Sequence, residues 1–193
     1  MIAGKNGVTA ETTKNILFGA GTIHKGLKHT GGKWNFEETL VGATSGGSKL
    51  SIVPEVYDVQ VDGADVLVKG LRVKTGEKAT LEVNFIELST DVIAAAAMGV
   101  VGSAADLTGY DLIESKPEIE AGDYWENIAF VGKLLNNDPV IAILDNALCT
   151  TGFEQEGKNK EGAVGKYTFE CHADAAGDMD KLPWRIYYPK ATA

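Results

Sequence analysis

The sequence predicts a mainly β protein: an antiparallel β-sandwich or barrel with one flanking α-helix and long hairpin extensions. Three observations predict it. Apolar residues repeat at period two through most of the chain, the period changes to that of a helix only once, and turn dipeptides separate the segments. Glycine supplies 23 of 193 residues, above the usual share of about 7%, as a chain of short strands and many turns requires. Strands run together on both sides of the one helix, without the βαβ alternation of a parallel sheet.

Ile16 to Leu27 is expected to form the first strand or pair of strands, with Gly19 and Gly21 at a bend or bulge. Trp34 to Val41 and Lys49 to Val53 flank a small polar run, so residues 34–54 are expected to form a long hairpin. Its flexible tip is Gly42, Ala43, Thr44, Ser45, Gly46, Gly47 and Ser48. Pro54, lacking a ladder donor, is expected to end or redirect the strand. Tyr57, Val59 and Val61 alternate with Asp58 and Gln60 up to Asp62-Gly63, a dipeptide suited to a type I′ turn, and Val66 to Val73 is the expected return. Thr75-Gly76-Glu77 makes the next turn. Leu81, Val83 and Phe85 then alternate with Thr80, Glu82 and Asn84, the clearest half-buried strand of the sequence.

At Ser89 the period changes. Val92, Ile93, Ala96, Ala97 and Val100 share one helix face, with Ser89, Thr90 or Asp91 as N-cap and Gly99 or Gly102 near the end. Residues 102–123 are rich in Gly, Ser and Asp, and little regular structure is expected there. The β pattern resumes from Trp125 through Ala129 to Leu135, turns at Asn136–Pro139 and returns over Val140 to Leu144. It recurs after an acidic loop in Tyr167, Phe169 and Cys171, and again in Trp184, Ile186 and Tyr188.

The net charge of -9, from 18 basic and 27 acidic side chains, opposes non-specific binding to nucleic acid. The first 96 residues carry 10 basic and 11 acidic side chains and the remainder 8 and 16, so the excess sits in the second half. Cys149 and Cys171 are too few for a disulfide framework, although one bridge stays open. The N-terminus has no apolar leader, and the longest apolar stretch, Val92 to Val101, falls short of the roughly 18 residues of a membrane span. Synthesis and folding in a cytoplasm, without a membrane partner, is the expectation.

No catalytic constellation emerges. Gly42 to Gly47 has P-loop spacing, but Ser48-Lys49 stands where Lys-Ser/Thr is needed and a strand pattern follows. Gly19, Gly21 and Gly26 miss the dinucleotide fingerprint. His24 and His29 are badly spaced to share a metal, and His172 beside Cys171 points to the opposite strand face. Glu118 and Glu120 lack the setting of a glycosidase pair, and Gly46 to Leu50 lacks the last glycine of a nucleophile elbow. Asp174, Asp178 and Asp180 resemble a calcium loop only loosely. The expectation is no enzyme activity, no cofactor and no metal.

Several segments carry a resemblance: Ile16-Leu-Phe-Gly-Ala-Gly-Thr22, Thr39-Leu-Val-Gly-Ala-Thr-Ser-Gly-Gly-Ser48, Ile52-Val-Pro-Glu-Val-Tyr57, Val61-Asp-Gly-Ala64, Val68-Lys-Gly-Leu71 and Ala79 to Ser89. The first half of the chain resembles the major tail tube protein of long-tailed bacteriophages, and the second half matches in order of elements. The resemblance implies that residues 1–193 form one tail-tube domain, a virion component assembled in the host cytoplasm. It implies hexameric rings of the chain itself stacked into a hollow tube, with tape measure, tail-tip and tail-terminator proteins as partners. Double-stranded DNA then passes through the lumen without specific binding. The 42–48 tip is similar to the loop that such subunits extend to a neighbour, and Glu37, Glu38, Asp58 and Glu82 are candidate lumen-facing acids. The inner tube of a contractile tail or tail-like injection device stays open beside this reading, as does a soluble β-sandwich binding module. An exposed aromatic cluster would mark the latter, whereas Trp34, Trp125 and Trp184 are expected in the core.

Overall fold

In chain order, the strands and helices are β1 (Leu17–His24), β2 (His29–Thr30), β3 (Lys33–Trp34), α1 (Phe36–Thr39), β4 (Thr44–Asp58), β5 (Arg72–Phe85) and α2 (Thr90–Ala97). They continue as β6 (Gly99–Ser103), β7 (Asp111–Ser115), β8 (Ile128–Leu134), β9 (Pro139–Leu144), β10 (Ala147–Cys149), β11 (Gly165–Cys171) and β12 (Trp184–Tyr187). The structure, a computed structural model, describes residues 7–9 and 11–190. Two four-stranded antiparallel sheets, ordered β1-β8-β9-β12 and β10-β11-β5-β4, form the body, and the β2-β3 and β6-β7 ribbons stand beside them.

Alternation along β5 and β11 creates the core. Ala79, Leu81, Val83 and Phe85 of β5 and Tyr167 and Phe169 of β11 have no solvent exposure, and they meet Ile23, Ile128 and Leu144 of the opposite sheet. Each large apolar side chain so buried contributes about 1.5–3 kcal/mol. The short helix α2 adds Val92, Ala95 and Ala96 to the same cluster. Ser89 Oγ caps it by accepting from the Val92 amide at 3.3 Å, and Met98 ends it in the left-handed region at φ 48°. The first sheet is covered on its other face too, because Trp34 and Phe36 pack with Leu27 over Ala129, Ile141 and Ile143. That double cover explains why Val140 to Leu144 is apolar without alternation. The second sheet turns a polar face outward, where Lys49 and Lys166 flank Glu82 at 3.2 and 2.9 Å and Lys78 meets Glu170 at 3.0 Å.

The expected strands at β1, β8, β9, β11 and β12 form, and the expected amphipathic helix forms over Thr90–Ala97. It ends at Met98, so Val100 lies half-exposed in β6 instead of on the helix face, and α1 is a second, short helix. Other expectations are corrected. Residues 34–54 do not form a hairpin: Trp34 closes the β2-β3 ribbon, 36–39 is a helical turn, and Gly42 to Ser48 leads into and begins β4. Thr44 pairs with Phe85 and Ser48 with Val83, so Ser45, Gly46 and Gly47 bulge opposite Asn84, whose Nδ2 donates to the Gly47 carbonyl at 3.2 Å. Gly46 and Gly47, at φ 85° and 83°, supply the left-handed backbone of that bulge rather than a free tip. Pro54 lies inside β4, which an edge strand tolerates. Thr75 to Glu77 stays within β5, where Gly76 and Glu77 pair with Glu55 and Pro54 and Thr75 is the bulged residue opposite the Glu55-Val56 step. Residues 59–71 form a loop instead of a two-residue turn and return strand, and residues 99–115 form the β6-β7 ribbon where little structure was expected.

Gly21 sits at φ 70° in the β1 bulge, and a Cβ there would lie 2.9 Å from the Val131 carbonyl oxygen and against the Phe130 ring. Gly21→Ala is therefore expected to cost about 1–3 kcal/mol, read as a lower urea midpoint at unchanged slope. An unchanged midpoint would show that the bulge relaxes freely.

Candidate assembly surfaces

The longest hairpin of the chain joins β4 to β5, and only its inner part belongs to the sandwich. β11 pairs with β5 from Thr80 to Phe85, whereas β4 continues beside β5 as far as the Asp58–Arg72 pair. Beyond Ala79 the two strands run on as a ribbon without a third strand. At its base Glu77 accepts from the Trp184 indole and pairs with Lys74. At its outer end Arg72 clasps Asp58 in a two-point contact of 2.7 and 2.8 Å. That contact holds the Asp58 carboxyl below the usual carboxylate range and fixes where the strands give way to the loop. The loop opens with the Val59 amide donating to the Leu71 carbonyl at 2.8 Å and turns over Asp62-Gly63, with the Ala64 amide on the Val61 carbonyl at 3.1 Å.

This arm is apolar and exposed. Val53, Val56, Tyr57 and Val73 on the ribbon are about half exposed, and Val66 and Leu67 on the loop reach 77% and 72%. Exposed apolar side chains in this number, carried on both faces of a projecting ribbon and on its loop, mark a contact surface. β4 also forms an edge of its sheet, and outside the 45–47 bulge and Pro54 its backbone groups on the side away from β5 have no strand partner. A second, smaller projection, the β6-β7 ribbon, leaves Val100, Val101 and Leu112 roughly half exposed.

The four candidate acids do not share a surface. Glu37 and Glu38 lie on α1, beside the covered face of the first sheet, rather than on a strand as expected. Glu82 is on the outer face of the second sheet, where hydrogen bonds from Lys166 and Lys49 hold its carboxylate low, and Asp58 is spent on Arg72. Two of the four are thus already neutralised. The sequence reading missed the loop 59–71. The available signal was Val66-Leu67-Val68, three consecutive apolar residues between turn formers, a pattern that suits neither period.

Among the described residues no three His, Cys, Asp or Glu side chains converge on a point that would hold a metal. Asp174 and Asp178 accept from the backbone of their own loop, at 2.9 and 3.0 Å. Cys149 and Cys171 are free and buried. Burial raises the thiol pKa of both, that of Cys171 to about 12, which leaves them unreactive near neutrality. Trp125 is in the core and Trp184 packs against it, but Trp34 stays partly exposed on the outer cluster. No helix of the described residues is long and apolar enough to cross a membrane. No protein-family profile and no curated protein matches the chain.

One buried titratable group, His24, ties β1 to α1. Thr39 Oγ1 donates to the Asn35 carbonyl at 2.8 Å and so accepts from Nδ1–H of His24 at 3.0 Å, which leaves Nε2 to accept from Thr22 Oγ1 at 2.9 Å. The neutral ring is satisfied at both nitrogens, and burial lowers its pKa below the ordinary 6.5. The unfolded chain then binds the extra proton more readily, so this stability is complete above about pH 6.5 and is lost as pH falls toward the folded value. His24→Asn is expected to flatten the dependence of the urea midpoint on pH between 7 and 5. An identical slope in variant and parent would contradict this role.

Proposed function

We propose that the chain is a non-catalytic structural subunit that polymerises with copies of itself into rings and a hollow tube, in the manner of a phage tail tube. The observation that carries the reading is the β4-β5 arm: a ribbon that leaves the sandwich with its apolar side chains uncovered and the β4 strand edge beside it. Left bare, such an edge invites uncontrolled aggregation. In a polymer a neighbouring subunit covers it. The mainly β, antiparallel architecture and the resemblance of residues 15–91 support the same reading. The outer face of the second sheet, with carboxylates and lysines in mutual contact, has little surplus cation to hold a polyanion sliding past it. A contractile sheath, where one exists, is another chain.

Negative-stain electron microscopy of concentrated protein, with light scattering on the same sample, tests the reading; hollow tubes or stacked rings are the expected result. Replacing residues 59–71 by Asn-Gly, which preserves the Asp58–Arg72 clasp, is expected to leave the circular dichroism and thermal midpoint of the monomer nearly unchanged and to abolish assembly. A parent chain that remains monomeric at every concentration, with tail-tip proteins supplied, would overturn the proposal. So would tubes of normal length formed by the shortened variant.

A further inference from the structure

Resting on the self-assembly reading, we infer that the arm tip of one copy, Val66 and Leu67, seats in an aromatic groove on a second copy, lined by Trp34, Tyr187, Pro139 and Pro189. The groove is an open depression of about 600 Å³ where the β2-β3 ribbon meets β9 and β12, room for two aliphatic side chains. Trp34 and Tyr187 stand edge to face with centroids 5.1 Å apart, and His29 packs on Trp34 at the same separation. The wall is therefore held in place before anything binds, which lowers the ordering cost of docking. Tyr187 and Tyr188 nevertheless remain 46% and 53% exposed.

The apolar surfaces of Trp34, Pro139, Ile141 and Pro189 in the groove favour an apolar knob over a richly hydroxylated ligand. Tyr188 donates its hydroxyl to Asn15 at 3.3 Å, and Asp138 accepts from Asn136 at 2.6 Å. Two of the polar side chains that line the groove thus already have a partner within the chain. The arm tip supplies the complementary shape, since Val66 is the most exposed of the large apolar residues described and Leu67 nearly matches it.

Charge fits as well. Asp65 and Lys69 flank the knob, and Lys190 and Asp138 flank the groove. None of the four makes an ion pair among the described residues. Docking joins Asp65 to Lys190 and Lys69 to Asp138. The tip contributes nothing to the groove lining of its own chain, so knob and socket are different surfaces of one molecule. A contact of that kind runs head to tail and propagates into a ring or filament instead of closing as a two-fold dimer.

The test mixes two single-cysteine variants, Leu67→Cys and Tyr188→Cys, under mild oxidation and reads covalent dimers by mass spectrometry. The native thiols, buried in the core, do not compete. The expected yield is at least tenfold above that of Leu67→Cys mixed with Lys49→Cys, which places its thiol on the outer face of the second sheet. Equal yields overturn the inference. In the cysteine pair, Asp65→Lys on the knob partner is expected to lower the yield several-fold at low salt, and Lys190→Glu on the socket partner to restore it. No restoration overturns the charge registry, and a soluble oligosaccharide that blocks the link at millimolar concentration assigns the groove to a sugar instead. Polymers of the parent chain without the 67–188 link overturn the groove and leave self-assembly standing. The link without polymers overturns the polymer reading alone.

Discussion

Everything in this molecule hangs on the inner half of β5. Ala79, Leu81, Val83 and Phe85 are excluded from solvent, and this strand is paired on one side by β11 and on the other by β4. They form the floor of the core against which Ile23, Ile128 and Leu144 close the sandwich. Because side chains alternate strictly along a strand, burying those four residues also commits Glu82 and Asn84 to the outer face. Asn84 there holds the 45–47 bulge and Glu82 organises the lysines around it. A slip of one residue would exchange the two sets and bury a carboxylate.

The same strand explains why the arm is separable from the body. Past Ala79, β5 loses β11 and the core together, and it keeps β4 as its companion. An isolated two-stranded ribbon is marginal in water, and this one is held by local contacts: the Asp58–Arg72 clasp and the Glu77 contacts with Trp184 and Lys74. Its apolar side chains therefore contribute little to folding, and their energy is available for association. The sandwich below is a fixed mount, covered on both faces of the first sheet and ion-paired on the outer face of the second.

Much of the body was legible in the sequence because each strand pattern was local. Leu81, Val83 and Phe85 announce their own face, as do Tyr167, Phe169 and Cys171, and Ser89 announces the helix start by its side-chain chemistry. The misread segments are those where glycine or proline serves the interior of a strand. Gly46 and Gly47 look the same in sequence whether they form a tip or a bulge, and their difference arises from Asn84, thirty-seven residues away. Pro54 resembles a strand end until β4 is known to be an edge. The arm loop escaped because its apolar residues face no partner within the chain, so neither period is imposed on them. The aromatic groove was invisible for another reason: Trp34, Pro139 and Tyr187 come together only through the pairing of β9 with β12 and the fold of the ribbon over them.

The central claim, that the arm is an association surface mounted on an independent core, is tested most directly by amide hydrogen exchange in dilute and in assembled protein. Peptides spanning 50–75 are expected to exchange at least tenfold more slowly once assembled, while those covering 79–85 and 165–171 are already protected in the monomer and change little. Equal exchange of the arm in both states would contradict the account, because the surface assigned to association would then remain uncovered in the polymer.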